Sequence, residues 1–349
     1  MNNDRNAWIS SLTASGAQFA NDGENVVSFG DAADELELSS QGALVLCPLH
    51  HLQVLSCQGE DRLSFLHSQL TNDVKHLGQG QVQHAAWCSA KGRMLANFLV
   101  WSVQDEQTPS INLLLAADLA PAIAKRLAMF VLRAKVSITP RHDYVVLGVA
   151  GGNVGMALQS LGLNLPDGVL HSANTDNATL LQLENGRFLL YIPVAEASAW
   201  WDKLATLAKP VGKPAWDYLE IEAGIPLITA ATREEFVPQM ADFEKIGGVS
   251  FHKGCYPGQE IVARTQYLGK VKRHLYRVQS SANLQAGDDL FSPEHPEQAV
   301  GKLVTTAPHP DGAYYGLAVV QANYANSLHH LQLDGVSVSA TAVNPEVVA

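Results

Sequence analysis

The segment FHKGCYPGQE, from Phe251 to Glu260, contains two glycines and a proline within ten residues. Glycine opens backbone conformations closed to other residues and proline restricts φ, so the segment predicts a tight turn. Cys255 lies two residues after Lys253 and three after His252. A nearby positive charge favours the thiolate form of a cysteine. The segment therefore predicts a reactive Cys255 assisted by Lys253, while an inert, buried cysteine in a turn is the alternative.

A basic strip extends from this segment towards the C-terminus. Between Lys253 and Arg277 the only acidic residue is Glu260, and the basic ones are Lys253, Arg264, Lys270, Lys272, Arg273 and Arg277. The strip therefore carries a charge of +5, whereas the whole chain carries −11. Such a strip indicates an anionic ligand or an RNA contact, and an ordinary solvated face is the alternative. The acidic balance of the chain argues against a broad nucleic-acid-binding surface and against direct tRNA binding.

Length and composition indicate a globular protein of more than one domain. The chain has 349 residues, of which 47% are hydrophobic, and domains average ~150 residues. Its four cysteines are scattered and none forms a CxxC pair, so neither a disulfide scaffold nor a self-contained metal site is expected. The N-terminus is polar from its second residue, and apolar runs such as Ile111–Ala117 are short. We therefore expect no signal peptide, no membrane span and a cytoplasmic location.

The first two-thirds of the chain predicts an α+β fold. Residues 1–40 are polar and indicate an N-terminal extension, whereas residues 41–270 alternate strand-like and helix-like segments. The stretch VQHAAWCSAKGRMLANFLVWSV predicts a β-hairpin that turns at Lys91-Gly92, and Asp118–Leu132 predicts a helix. Residues 141–210 have the order βαββα of a small α+β layer. The helix that follows, in PAWDYLEIEAGIP, should end at Gly224 because Pro226 stops it.

The last part of the chain, residues 271–345, has a different pattern. Its segments LYRVQS, GKLVTTA, YYGLAVV and VSVSATAV are short, apolar and separated by Gly, Pro and Asp. Short strands with turn residues between them are typical of a small β-barrel. The predicted architecture is therefore an N-terminal extension, an α+β region with two subdomains, and a C-terminal β-barrel.

Three blocks of the sequence resemble the YgfZ family of folate-binding, tRNA-modification-linked proteins, which are relatives of the glycine-cleavage T-protein. KGCYPGQE is similar to the family signature K-G-C-Y-x-G-Q-E, and IEAGIP with FVPQ…GGVSFHKGCYPGQEIVAR resembles the whole third block. FLHSQLTNDV after Gly59-Glu-Asp resembles the first block, and AAWCSAKGRMLANF the second. The resemblance covers roughly residues 42–280 in blocks. It implies a ring of T-protein-like α+β subdomains, a C-terminal barrel, and tetrahydrofolate in the central hole.

The resemblance also implies which residues contact the folate. Trp216 matches a folate-contacting aromatic of the family, and Glu222 matches a glutamate that faces the pterin in T-proteins. A flat pterin suits an aromatic face, and its N–H donors suit a carboxylate. Tyr256 and Arg264 of the third block join this predicted set. For Trp216, a place in the hydrophobic core is the alternative.

At two positions the chain departs from the family pattern. Leu52 stands where the family has a second folate-contacting aromatic, so that stacking is lost. Ala96-Asn97 stands where T-proteins carry a pair of aspartates, one of them essential for aminomethyl transfer. A neutral amide such as that of Asn97 can orient a folate nitrogen but cannot accept its proton. We therefore expect folate binding without classical aminomethyltransferase activity.

The function implied by the resemblance is that of a folate-binding protein that supports iron–sulfur enzymes and, through them, tRNA modification. Because iron–sulfur clusters normally need four cysteine ligands, Cys255 would have to share any cluster with a partner or a small thiol. Its role as ligand, nucleophile or redox thiol stays open. One alternative is a folate-dependent one-carbon transferase of T-protein type. The other is an RNA-binding module that uses the basic strip.

Overall fold

The computed structural model describes residues 2–103, 109–175, 178–269, 271–325 and 331–344. The chain forms two compact units, each assembled from three separate stretches of sequence. Unit 1 comprises Met1–Arg62, Leu77–Gln83 and Leu99–Trp216, and unit 2 comprises Leu63–His76, His84–Phe98 and Asp217–Ala349.

Helices of the described residues occur in both units. They are α1 (Asn2–Ala14), α2 (Ala32–Ser40), α3 (Arg62–Gln69), α4 (Ala120–Ala128), α5 (Val154–Ser160), α6 (Ala197–Ala205), α7 (Lys213–Ala223), α8 (Gln259–Tyr267) and α9 (Ala322–Ala325). Short 3₁₀ helices cover Val74–His76, Val194–Glu196 and Pro238–Ala241.

The strands are mostly short and alternate with these helices. They are β1 (Gln18–Phe19), β2 (Val26–Ser28), β3 (Val45–Pro48), β4 (Leu52–Gln58), β5 (Val82–Cys88), β6 (Met94–Val103), β7 (Ser110–Ala116), β8 (Ser137–Pro140), β9 (Tyr144–Ala150), β10 (His171–Thr175), β11 (Ala178–Leu183), β12 (Arg187–Pro193), β13 (Lys209–Pro210), β14 (Arg273–Ser280), β15 (Asp289–Leu290), β16 (Gly301–Pro308), β17 (Tyr314–Gln321), β18 (Leu331–Leu333) and β19 (Val336–Ala342).

Unit 1 is organised around a six-stranded sheet of order β10-β11-β12-β9-β3-β13. Its pairs are antiparallel except β13 with β3, which is parallel. The core of this unit contains Trp201 of α6, Leu147 of β9 and Leu190 of β12, all fully buried. In the same unit β4 lies between β7 and β8, and the end of β6 pairs with β7. The apolar faces of these strands, which the sequence shows as hydrophobic runs, are thereby removed from water.

The N-terminal 40 residues contribute to the core of unit 1. Trp8 and Leu12 of α1 are buried, and the indole of Trp8 lies edge-on against Trp201 with ring centroids 5.7 Å apart. The buried carboxylate of Glu35 accepts hydrogen bonds from the backbone N–H groups of Phe29, at 2.6 Å, and Gly212, at 2.7 Å. The segment that the sequence indicated as an extension is therefore packed into the fold.

The C-terminal part of unit 2 forms a nearly closed barrel. Its six strands are antiparallel and follow the order β15-β16-β17-β14-β19-β18. A bridge between Phe291 and Gln332 joins the two ends of the sheet. Tyr276, Leu303 and Val320 fill its core. The barrel predicted from the spacing of short strands is confirmed.

The α+β class and most of the predicted elements agree with the structure, and the differences include the following. Strand β10 was not predicted because HSANT is polar, as suits its place at the edge of the sheet. Helix α4 ends at Ala128, four residues before the predicted end. Helix α8, which follows the Cys255 loop directly, was not predicted from the sequence. Helix α7 does end before Gly224, whose φ of +70° suits a residue that follows a helix.

Candidate functional site

Three distant stretches of unit 2 meet at the segment that precedes Cys255. Thr71 donates its hydroxyl proton to the carbonyl of Gly248, at 2.7 Å, and accepts from the N–H of Ala86, at 2.8 Å. Asn72 donates to the carbonyls of His84 and Gly247, both at 2.7 Å. These bonds connect the sequence blocks around residues 70, 86 and 248. Parts of all three sequence blocks that carry the family resemblance therefore meet in unit 2.

The loop of Cys255 also packs against the hairpin turn between β5 and β6. A Cβ atom on Gly258 would lie 2.4 Å from the carbonyl oxygen of Ser89 and 2.7 Å from Cα of Gly92. Both glycines have positive φ, +81° and +70°. Gln239, fully buried, donates its amide to the carbonyl of Val262 at 2.7 Å. Only glycine can occupy position 258 without displacing backbone, which explains the turn predicted from the sequence.

Lys253 is buried, and its ammonium group is held at the end of α3. Its Nζ donates to the carbonyl oxygens of His67 and Leu70, the latter at 2.5 Å, and lies 5.0 Å from the ring centre of Tyr256. Burial lowers the pKa of Lys253 to about 8. Electrostatic interactions with Asp73 and Cys255 act in the opposite direction but are smaller. Lys253 thus binds the loop to α3, a role that no pattern in the sequence indicated. Its charge still interacts with the thiol of Cys255.

Cys255 differs from the other three cysteines in its exposure. Cys255 is exposed, whereas Cys47, Cys57 and Cys88 are buried. Burial raises the pKa of Cys57 and that of Cys88 to about 12, so their thiols stay protonated at neutral pH. Cys255 is therefore the thiol that a reagent or partner can reach. Its predicted catalytic role stays a prediction.

A histidine and an aspartate lie beside this loop. Nδ1 of His67 is 3.1 Å from Oδ1 of Asp73, and the other oxygen of Asp73 is 2.8 Å from Nδ1 of His76. A Cβ atom on Gly254, next to Cys255, would lie 3.6 Å from Nε2 of His67. Neither His67 nor Asp73 was predicted from the sequence, because 187 positions separate His67 from Gly254 and no local pattern connects them.

Asn97 is buried in β6 and bound to backbone at both ends of its amide. Its Nδ2 donates to the carbonyl of Pro226 and its Oδ1 accepts from the N–H of Ile228, both at 2.8 Å. Asn97 therefore binds the chain that follows α7 to the strand. This contact explains why an amide, which offers both a donor and an acceptor, suits the position. A contact of Asn97 with folate stays a prediction.

Glu222 lies at the exposed end of α7, close to a group of aromatic side chains. Burial raises the pKa of the Tyr315 hydroxyl, and an interaction with the carboxylate of Glu222 adds to this effect. The rings of Tyr218 and Tyr315 lie 5.8 Å apart, and His309 lies within 6 Å of both. Arg277 donates from Nη2 to the backbone carbonyl of Glu222, at 2.5 Å, and so satisfies the last turn of the helix. The carboxylate of Glu222 is thus exposed beside aromatic rings.

The remaining predicted folate contacts occupy different environments. Trp216 of unit 1 is fully buried, and a Cβ atom on Gly148 would lie 2.5 Å from its ring, so the ring is packed in the core. Leu52 is half-buried at the start of β4, and Tyr256 is buried under Lys253. Arg264 is exposed on α8. The predicted folate roles of these four residues stay predictions.

The chain is similar to known proteins over most of its length. It is 35% identical over 313 residues to the tRNA-modifying protein YgfZ of Sodalis glossinidius, a match that covers 88% of this chain and 94% of the relative. It is 36% identical over 256 residues to the tRNA-modifying protein YgfZ of Klebsiella pneumoniae, covering 72% and 77%. The chain belongs to the YgfZ family of tRNA-modifying proteins. No family model matches the sequence.

Solved structures support the same fold. The glycine cleavage system aminomethyltransferase T from Bartonella henselae matches with a TM-score of 0.74 and 17% identity, covering 96% of this chain and 95% of that one. The T-protein-like fold predicted from the sequence resemblance is therefore confirmed. Within the described residues, no helix is long and apolar enough to cross a membrane.

The residues present fit a folate only in part. Glu222 fits, because an exposed carboxylate next to aromatic rings can accept hydrogen bonds from the N–H groups of a pterin. Trp216 does not fit a stacking role in this conformation, because its ring has no exposed face. Asn97 has both polar atoms bound to backbone. Glu222 is therefore the predicted contact on which a test of folate binding can best be based.

Proposed function

We propose that this protein binds tetrahydrofolate in the cytoplasm and supports the assembly or repair of iron–sulfur enzymes, among them enzymes that thiolate tRNA. The observation that carries the proposal is the exposed Cys255 in a loop whose backbone is fixed by distant parts of unit 2. Membership of the family of tRNA-modifying proteins supplies the biological setting.

Cys255 would act together with a partner. One thiolate does not supply the four ligands of a typical iron–sulfur cluster. Among the described residues there is no group of three or more His, Cys, Asp or Glu that could hold a metal ion. The proposal therefore assigns the remaining ligands to a client protein or a small thiol that approaches the exposed loop.

The test is complementation in a bacterium that lacks its own YgfZ. The chain should restore thiolated nucleosides in tRNA, measured by mass spectrometry, and Cys255→Ala should not. Cys57→Ala is the matched control, because it removes a buried thiol by the same substitution. If Cys255→Ala restores these nucleosides as well as Cys57→Ala does, the proposed role of Cys255 is wrong.

A one-carbon transferase of T-protein type is the second candidate, and the T-protein-like fold favours it. The position of the T-protein acid is occupied here by Asn97, whose amide is already bound to backbone. An amide cannot act as a general base. The transferase is therefore the weaker of the two candidates. Turnover of a methylamine donor with tetrahydrofolate by the purified chain would favour the transferase over the first proposal.

A further inference from the structure

Unit 1 contains a cavity of about 30 Å³ whose lining residues come from α1, β4, β9 and β12 and from the segments beside them. The polar lining residues include Arg5 of α1, Arg141 directly after β8, and Tyr191 of β12. On the same measure one buried water molecule needs about 10–15 Å³. The cavity therefore has room for a group of a few heavy atoms.

The hydroxyl of Tyr191 is a buried polar group at this cavity. Tyr191 is 4% exposed, and among the described residues its hydroxyl has no hydrogen-bond partner. Its ring is fixed by stacking on Tyr144, with ring centroids 4.3 Å apart, and by an edge-on contact with Trp101 at 5.5 Å. A buried hydroxyl without a partner costs free energy, so it indicates a bound water molecule or a ligand.

Arg141 is held beside this hydroxyl. Its Nε and Nη2 donate to the carboxylate of Asp143, at 2.9 and 2.8 Å, and its guanidinium lies 4.3 Å from the ring centre of Tyr144. Its backbone N–H donates to the carbonyl of Val54 at 2.9 Å. Burial raises the pKa of Tyr191 and the positive charge of Arg141 opposes this, so the two groups lie close together. Because Nη1 carries two further N–H groups, Arg141 and Tyr191 together offer several donors to an anion.

The polar part of the cavity is positively charged. Arg5, which is half-buried, adds a second guanidinium to that of Arg141. Asp143 offsets the charge of Arg141, so one positive charge remains from two cations and one anion. Among the described residues that line the cavity none is acidic. The site therefore matches a single negative charge.

His50, which also lines the cavity, is neutral and does not change this balance. Its Nε2 accepts a hydrogen bond from the indole N–H of Trp8 at 2.9 Å, so its ring proton is on Nδ1, which lies 2.8 Å from the carbonyl oxygen of Glu24. Burial lowers the pKa of His50; the hydrogen bond to Glu24 opposes this effect, and the charge of Arg5 adds to it. Asp22 and Glu24 are exposed, so water screens their charges.

The rest of the wall is aliphatic and consists of Leu49, Leu52, Val54, Val145 and Val146. Leu52, whose contact with folate stays a prediction, thus lines this cavity. An aliphatic wall accepts methylene and methyl groups but gives no hydrogen bond to a second charged group. A ligand with one anionic end and a short aliphatic chain therefore fits better than a dianion such as phosphate.

We propose that the cavity binds a small aliphatic monocarboxylate, whose carboxylate accepts hydrogen bonds from Tyr191, Arg141 and Arg5 and whose carbon chain packs against the aliphatic wall. Hydrogen bonds from guanidinium groups to a carboxylate are among the strong ones in proteins. The site goes beyond the proposed function, since Cys255 and Glu222 belong to unit 2 and each lining residue of the cavity belongs to unit 1.

The test titrates the full chain with propionate and measures the dissociation constant by ligand-observed NMR. Propionate should bind saturably, and Tyr191→Phe should weaken binding about tenfold or more, because a hydrogen bond to a charged group is lost. The variant keeps the stacked ring and removes a hydroxyl that has no partner among the described residues, so the free energy of unfolding should not fall. Tyr267→Phe, at an exposed tyrosine, is the matched control and should bind propionate normally.

A second pair of variants tests the charge of the site. Arg5→Gln should weaken propionate binding, whereas Arg133→Gln, at an exposed position of unit 1, should not. Propionamide has the same shape without the charge, and it should bind about tenfold more weakly or worse, as should inorganic phosphate. The proposal is overturned if propionate does not bind saturably, if Tyr191→Phe or Arg5→Gln binds it as the unmodified chain does, or if propionamide or phosphate binds as tightly.

Competition separates this site from a folate site. Tetrahydrofolate should leave the dissociation constant of propionate unchanged, and competitive displacement of propionate would overturn the proposal of a separate site. Complementation by Cys255→Ala reports on the thiol alone. The monocarboxylate site can therefore fail while the proposed function stands, and the reverse.

Discussion

Gly92 and Gly258 pack backbone against backbone: a Cβ atom on Gly258 would lie 2.7 Å from Cα and 2.8 Å from N of Gly92. Gly92 belongs to the turn of the β5–β6 hairpin, and Gly258 immediately precedes α8. The contact holds the Cys255 loop against the hairpin. It therefore explains why both segments carry a glycine with positive φ.

Gly258→Ala should destabilise unit 2 and displace the loop. A left-handed conformation costs an alanine roughly 1–2 kcal/mol, and the collision with backbone at 2.4 Å adds to this. Gly247→Ala is the matched control, because Gly247 has a φ of +74° and no atom within 4 Å of its Cβ position. Urea denaturation should show that Gly258→Ala lowers the free energy of unfolding clearly more than Gly247→Ala does. Equal losses would mean that the contact with the hairpin is unimportant.

Cys255 should be the first cysteine to be alkylated at pH 7. It is exposed, and the pKa values of the buried Cys57 and Cys88 are about 12. Lys253→Ala should slow this labelling because it removes a nearby positive charge. It should also lower the free energy of unfolding by about 1–3 kcal/mol, because two carbonyl groups at the end of α3 lose their donor. Peptide mapping gives the labelling order, and equal labelling of all four thiols would contradict the prediction.

Asn97→Asp should destabilise the chain without creating aminomethyl transfer. The carboxylate would still accept from Ile228 but would face the carbonyl of Pro226 with no proton to donate, at a cost of about 1–3 kcal/mol. Asn174→Asp is the matched control, because the side chain of Asn174 accepts a hydrogen bond from Thr179, which a carboxylate can also do. The free energy of unfolding should fall for Asn97→Asp alone. Easily measured transfer by the unmodified chain would instead favour the transferase candidate.

Tetrahydrofolate should bind with an affinity that depends on Glu222. Glu222→Gln removes a charged acceptor and should weaken binding by about 1.5–3 kcal/mol, measured by calorimetric titration. Glu234→Gln replaces another exposed carboxylate of unit 2 and should have no effect. Trp216→Ala is a poor probe, because truncating a buried tryptophan costs roughly 3–5 kcal/mol of stability. Unchanged affinity for Glu222→Gln would remove Glu222 from the folate site.

Glu244→Gln should stabilise the protein at pH 8 but not at pH 4. Burial, with the nearby charge of Asp242, raises the pKa of Glu244 to about 7 from an ordinary value of 4.5. Between these values the folded state holds a proton that the unfolded state has released, so stability falls as pH rises from 4.5 through 7. The free energy of unfolding of Glu244→Gln, measured by urea denaturation, should not fall over this pH range. The control Glu260→Gln, at an exposed position, should show the same fall as the unmodified chain. If the free energy of unfolding depends on pH in the same way for the unmodified chain and for Glu244→Gln, Glu244 is not the group responsible.

Local patterns in the sequence were sufficient for much of the fold. The hairpin that turns at Lys91-Gly92, the helix that ends before Gly224 and the short strands of the barrel all depend on residues a few positions apart. Helix α1 could not be predicted in this way because its apolar face is only a few residues wide. Its role depends on Trp8 meeting Trp201, which lies far along the chain.

The sequence by itself determined the family, the α+β class and the tight turn around Cys255, because these depend on residue types and short spacings. Only the tertiary structure decided that Lys253 binds the end of α3, that Asn97 is bound to backbone and that Trp216 lies in the core. It also placed His67 beside Gly254. Lys253 and His67 are 186 positions apart, and a contact over such a separation depends on how helices, strands and loops pack together. No spacing along the chain encodes that packing.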